Sequence, residues 1–136
     1  PVDLEHEKRV GDHVRDLIES GAVTAAHDLS DGGLAVALAE MTMASGIGAT
    51  VSAPAGADPV AAFFGEDQGR YLLTLSLDPN GKEWEALQAE QRRLGIEVRH
   101  IGTTGGSDLK LGQAHAIPVG QLKAAHESWF PDFMEA

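Results

Sequence analysis

The sequence has 136 residues, 43% of them hydrophobic, no cysteine and a formal net charge of −11. That length and apolar content suit one domain with one core, so residues 1–136 are expected to form a single domain. The missing cysteines exclude disulfides, thiolate metal sites and a catalytic thiol, and fit a cytoplasmic setting; the acidic balance, with ten scattered basic residues, argues against a grip on nucleic-acid phosphates.

Val10, Val14, Leu17 and Ile18 recur at helical spacing, predicting an amphipathic helix over 4–20 with Gly21 as its stop. Ala22 to His27 reads as a short strand, and the turn Asp28-Leu29-Ser30-Asp31 leads into a helix over 32–45. This second helix is apolar nearly all round, with Glu40 as its only charge, and needs covering on more than one side. The longest apolar-rich stretch, Leu34 to Ile47, is too short to span a bilayer. A strand over 47–51, a Pro- and Gly-rich loop and a short helix over 59–64 follow. Tyr71, Leu73, Leu75 and Leu77 alternate with Leu72, Thr74 and Ser76, the period of a strand with one apolar face. Asp78-Pro79 has the chemistry of a helix start, with Trp84, Leu87, Gln91 and Leu94 on one stripe and Gly95 at its end. Ile96 to Ile101 is strand-like, two short strands fit 109–111 and 116–119, and Leu122, Ala125 and Trp129 suggest a closing helix. The order lacks a regular βαβ rhythm, and a hairpin is expected near the end. The fold class is therefore α+β, a mixed β-sheet with packed helices.

The strongest local signal is His27-Asp28-Leu29-Ser30-Asp31-Gly32-Gly33-Leu34, a strand passing through a glycine-bearing turn into a helix. Free N–H groups at a helix N-terminus favour anions, which makes Ser30, Asp31, Gly32 and Gly33 candidate phosphate-binding residues. The plainer reading is that Ser30 or Asp31 caps the helix while Gly32 and Gly33 permit tight packing on the strand. Asp28 and Asp31 are candidate ligands for Mg²⁺, which commonly bridges carboxylates to nucleotide phosphates, although two aspartates near a turn are common without any metal. His27 shares a strand face with Val23 and Ala25 and reads as a hydrogen-bonded core histidine rather than a general base. The second cluster is the acidic loop Gly65-Glu66-Asp67-Gln68-Gly69-Arg70, which feeds directly into the strongest strand.

Those two clusters, together with the ending from Leu122 to Met134, resemble the C-terminal domain of the phosphoribosylformylglycinamidine synthase large subunit, within the aminoimidazole ribonucleotide synthetase-like superfamily. The resemblance spans essentially the whole chain, which opens at Pro1 without an initiator Met and reads as a fragment of a larger multidomain subunit. It implies an ATP- and Mg²⁺-dependent ligase that converts formylglycinamide ribonucleotide and glutamine-derived ammonia to formylglycinamidine ribonucleotide. The implied partners are the remaining domains of the synthase subunit, a glutaminase subunit and a small accessory subunit, with no nucleic acid and no membrane.

This family's synthase subunit is an internal duplication, and the chain resembles its second, auxiliary C-type domain. By resemblance Asp28 matches a metal ligand and Glu66-Asp67-Gln68 matches a substrate-touching Glu-Ser-Gln loop, with Asp67 replacing the serine. The family's catalytic histidine lies in an N-type domain outside this sequence, so no catalytic residue is expected here and the fragment alone should be inactive. Two other readings stay open: a non-catalytic structural or nucleotide-binding module, and a domain of another ATP-using member of the superfamily.

Overall fold

In the computed structural model, residues 3–67, 69–113 and 116–135 are described. The elements in chain order are α1 (Leu4–Glu19), β1 (Val23–Asp28), α2 (Gly33–Ser45), β2 (Ala49–Val51), α3 (Pro59–Phe64), β3 (Tyr71–Leu75), α4 (Lys82–Leu94), β4 (Gly102–Thr104), β5 (Asp108–Leu111), β6 (Ile117–Pro118) and α5 (Val119–Glu135). They gather into two compact units, one from the residues up to Ser30 with Glu66–His100, the other from Asp31–Gly65 with Ile101 onward. No helix among the described residues is long and apolar enough to cross a membrane.

In the first unit, the Asp3 side chain caps α1 by accepting the His6 N–H at 3.0 Å. The helix ends as its sequence demands. Gly21, at φ 75°, lets its own N–H reach the Ile18 carbonyl and the Ala22 N–H reach that of Leu17, which is the Schellman closure. α1 buries Val10 and Val14. β1 pairs antiparallel with β3, from Val23 opposite Leu75 to Asp28 opposite Tyr71, with an irregularity between Val23 and Ala25. Thr24 and Thr74 join hydroxyls across the ribbon at 2.8 Å. On α4, Gln91 is buried with its amide nitrogen 3.3 Å from His13 Nε2 of α1.

Two boundaries in and beyond this unit differ from expectation. Asp78 does not cap α4: its carboxylate accepts the Asn80 N–H at 2.9 Å and its carbonyl accepts that of Gly81. The Asn80-Gly81 pair turns the chain first, and the helix begins only at Lys82. The strand expected over 96–101 is absent, and pairing begins at Gly102. There the backbones come so close that a Cβ on Gly102 would lie 2.1 Å from the Thr50 carbonyl oxygen. Glycine fits that approach.

In the second unit β2 is central, antiparallel to β4 and parallel to β5, which pairs antiparallel with β6. The sheet is therefore mixed and closes with the expected hairpin. α2 buries Leu34, Ala35, Ala37, Leu38 and Thr42 and is covered by α3, α5 and β5 within its own unit. Val51, Phe63, Leu109 and Val119 complete this core. The chain is thus α+β, with helices packed on short sheets.

Candidate functional site

Because β1 and β3 are antiparallel, the last residues of β1 and the first of β3 lie at the same end of the ribbon. Asp28 stands opposite Tyr71, and the Leu29 N–H donates to the Arg70 carbonyl at 2.9 Å. This pairing brings the end of the Asp28-Leu29-Ser30 segment beside the end of the acidic loop. Asp28 leaves 67% of its side chain exposed. Asp67 lies 3.4 Å from Arg70 Nη1, so the guanidinium offsets part of the loop's negative charge. Ser30 and Glu66 are also exposed. Gln68 lies outside the described residues.

Next to Asp28 is a shallow depression of about 430 Å³, lined by Val14 and Ile18 of α1, by Ala26, His27 and Asp28 of β1, and by Tyr71 of β3. Its lining combines apolar Val14, Ile18 and Ala26 with polar His27, Asp28 and Tyr71. Gly11 faces the Tyr71 hydroxyl, where a Cβ would sit 3.6 Å from the oxygen. His27 is half-buried, and its Nδ1–H donates to the Asp28 carbonyl at 2.6 Å. That bond places a proton on Nδ1 and ties the ring to the backbone, so the expected hydrogen bond is present while the side chain is half-buried rather than in the core. Tyr71 and the two α1 residues were not singled out as site residues from the sequence; β1–β3 register sets Tyr71 opposite Asp28, and the packing of α1 on β1 adds the other two.

Asp31, Gly32 and Gly33 belong to the second unit, at the start of α2. Neither Ser30 nor Asp31 caps the helix: Gly32 is the N-cap, at φ 80°, and no side-chain hydrogen bond caps it. The glycines are closely packed, but against the Phe64-Gly65 backbone and Val36 rather than on the strand. A Cβ on Gly33 would lie 2.6 Å from the Gly65 carbonyl oxygen and 2.9 Å from the Phe64 carbonyl carbon, both backbone atoms. One on Gly32 would lie 2.2 Å from Val36 Cγ2. The first turn of α2 carries no acidic residue, so no carboxylate there opposes an anion at the positive end of the helix dipole.

Among the described residues no three His, Asp or Glu side chains gather into a metal cage. A Mg²⁺ ion does not require one, since it commonly takes one or two carboxylates and completes its shell with water and phosphate oxygens. Asp28, exposed and at a strand end, fits that limited part.

The family model for the C-terminal domain of AIR synthase related proteins matches residues 1–112. The phosphoribosylformylglycinamidine synthase subunit PurL of Mesorhizobium japonicum is 71% identical over 135 residues, which are 99% of this chain and 18% of that protein. The corresponding subunit of Chelativorans sp. is 62% identical over 135 residues, again 99% of this chain and 18% of the relative. The chain therefore spans about a fifth of the length of these relatives. Among solved structures, PurLQS from Thermotoga maritima superposes with a TM-score of 0.70 at 19% identity, over 86% of this chain and 21% of that one. T. maritima PurL complexed with AMPPCP gives 0.68 at 18% identity, over 85% and 21%. At such identities these structures speak for the fold, and fold and family agree: this chain belongs to the AIR synthase related family, as a member of its C-terminal domain.

Proposed function

We propose that the chain is the C-terminal domain of a cytoplasmic, ATP-dependent phosphoribosylformylglycinamidine synthase subunit, which converts formylglycinamide ribonucleotide and ammonia to formylglycinamidine ribonucleotide. The observation that carries this reading is the 71% identity, over 99% of the chain, to a synthase subunit of that name. The remaining domains of that subunit, a glutaminase subunit and a small accessory subunit are its proposed partners. A domain of another ATP-using branch of the superfamily is disfavoured by the same identity.

Within this reading Asp28 contributes a carboxylate to a Mg²⁺-bridged nucleotide, ATP or ADP, and the Ser30-to-Gly33 turn receives phosphate. Glu66, Asp67 and Gln68 are the counterparts of the family's substrate loop. Charge dictates the metal. Asp28, Glu66 and Asp67, all of the first unit, each bring a full negative charge. A bare polyphosphate would be repelled, and a divalent cation reverses the local sign.

Calorimetry of the full-length subunit with ADP, in EDTA and in excess Mg²⁺, tests this. Binding should need Mg²⁺ and weaken on the order of tenfold or more in Asp28→Ala, the loss of one charged ligand. Binding that is equally tight in EDTA, or unchanged in Asp28→Ala, would favour the second reading, in which the turn serves packing alone. That reading has its own support in the close approach of Gly33 to the Phe64-Gly65 backbone.

A further inference from the structure

Among the described residues, four large apolar side chains stand exposed near one another at the far end of α5. Val119 is buried and Leu122 half-buried, but from Lys123 onward no described residue of the helix is buried. Trp129, Phe130, Phe133 and Met134 are 65%, 60%, 65% and 67% exposed. Their rings already associate: Trp129 and Phe133 stack at 5.6 Å with planes 11° apart, and Phe130 lies 6.4 Å from Trp129. With roughly 150–250 Å² per aromatic residue, the three rings alone present on the order of 300–500 Å², an area that marks interaction sites.

The backbone adds a separate argument. The part of α5 from Lys123 onward contains Pro131, which has no N–H to give to a helical hydrogen bond. Isolated helices shorter than about 12–15 residues are marginal in water even without proline. This stretch therefore needs tertiary cover to remain helical.

The chemistry of the surface narrows what covers it. Beyond Lys123, α5 carries no lysine or arginine, and Lys123 itself lies 3.8 Å from Glu127. With a chain charge of −11, an anionic lipid surface or a nucleic acid is a poor match, and an apolar protein surface is a good one. The relatives supply such a surface in quantity, since this chain accounts for only 18% of their length. We propose that the Trp129–Phe130–Phe133–Met134 face of α5 docks this domain onto the remainder of the same synthase polypeptide. The proposal rests on the function proposed above.

Hydrogen exchange along α5 tests it, in the 136-residue chain and in the full-length subunit without its partner subunits. Amides from Lys123 to Met134 should exchange roughly tenfold or more slowly in the full-length subunit. Trp129→Asp should abolish that added protection, and Trp129→Phe should retain most of it. Equal exchange in the two proteins would overturn the proposal. So would protection that rises with the concentration of the 136-residue chain, which means a second copy, or protection that needs the glutaminase subunit. A gene encoding no further synthase domains would instead defeat the functional reading on which the proposal stands.

Discussion

Replacing Gly33 with alanine separates two reasons for glycine at the start of α2. The residue sits at φ 62°, and its added Cβ would lie 2.6 Å from the Gly65 carbonyl oxygen. The left-handed conformation costs a non-glycine residue about 1–2 kcal/mol, and forcing a methyl against backbone typically costs a further 1–3 kcal/mol. Gly46, the C-cap of the same helix, isolates the first contribution: it has φ 71° with nothing within 4 Å of its Cβ. Gly46→Ala is therefore expected to lose about 1–2 kcal/mol and Gly33→Ala about 2–5 kcal/mol. Urea unfolding of the 136-residue chain, with circular dichroism and tryptophan fluorescence as coincident probes, gives both values. If the two variants lost the same stability, the contact with the Phe64-Gly65 backbone would carry no energetic weight. The argument from packing would then fail, and the glycine pair would need another reason.

Gln91 is buried and its Oε1 has no hydrogen-bond partner among the described residues. Gln91→Met removes the orphaned acceptor while keeping the volume, so it should be neutral or stabilising by up to about 1 kcal/mol, read from the same urea curves; a loss above about 2 kcal/mol would mean that its bond to His13 matters more than the orphan. On α1, Asp12 has its carboxyl lowered from the ordinary value of 3.8, chiefly by the hydrogen bond from Lys8 and then by Arg15. Its folded value lies below its unfolded one, so its stabilising contribution is complete above about pH 4 and is lost as the pH falls through the lowered value. Carboxyl carbon shifts followed through an acid titration should place its midpoint below 3.8, and Lys8→Met should move it upward.

The helices were legible because their signals are local. Val10 and Val14 define the buried stripe of α1, and Gly21 closes it through bonds spanning a few residues. α3 occupies 59–64 as expected, and the Asp58 carboxylate accepts the Val60 N–H ahead of Pro59 at the first helical turn. Strands were less legible because a strand depends on its partner. Ile96 to Ile101 has the composition of a strand, yet β2 accepts Gly102–Thr104, where glycine permits the approach. Asp78 shows the same limit at a helix start, since one carboxylate serves an Asx turn or an N-cap and the Asn80-Gly81 pair decides between them.

The candidate residues were legible as two clusters, but their meeting was not. Composition places acidic side chains in the Glu66-to-Arg70 loop; only the β1–β3 register sets Asp28 opposite Tyr71 and Leu29 against Arg70. A similar distinction separates α2 from α5. Both helices offer large apolar surfaces, and periodicity reports that such a surface needs covering without naming what covers it. For α2 the cover is α3, α5 and β5 of its own unit, so the sequence-level expectation of an unusually demanding helix is met locally. For α5 the buried residue Val119 lies at its first turn, and the aromatic residues follow only after the helix has left that core. Hydrophobicity alone would rank α2 as the interface, and burial reverses the order. An interface is the apolar surface a fold leaves over, and in the described residues that surface centres on Trp129 and Phe133.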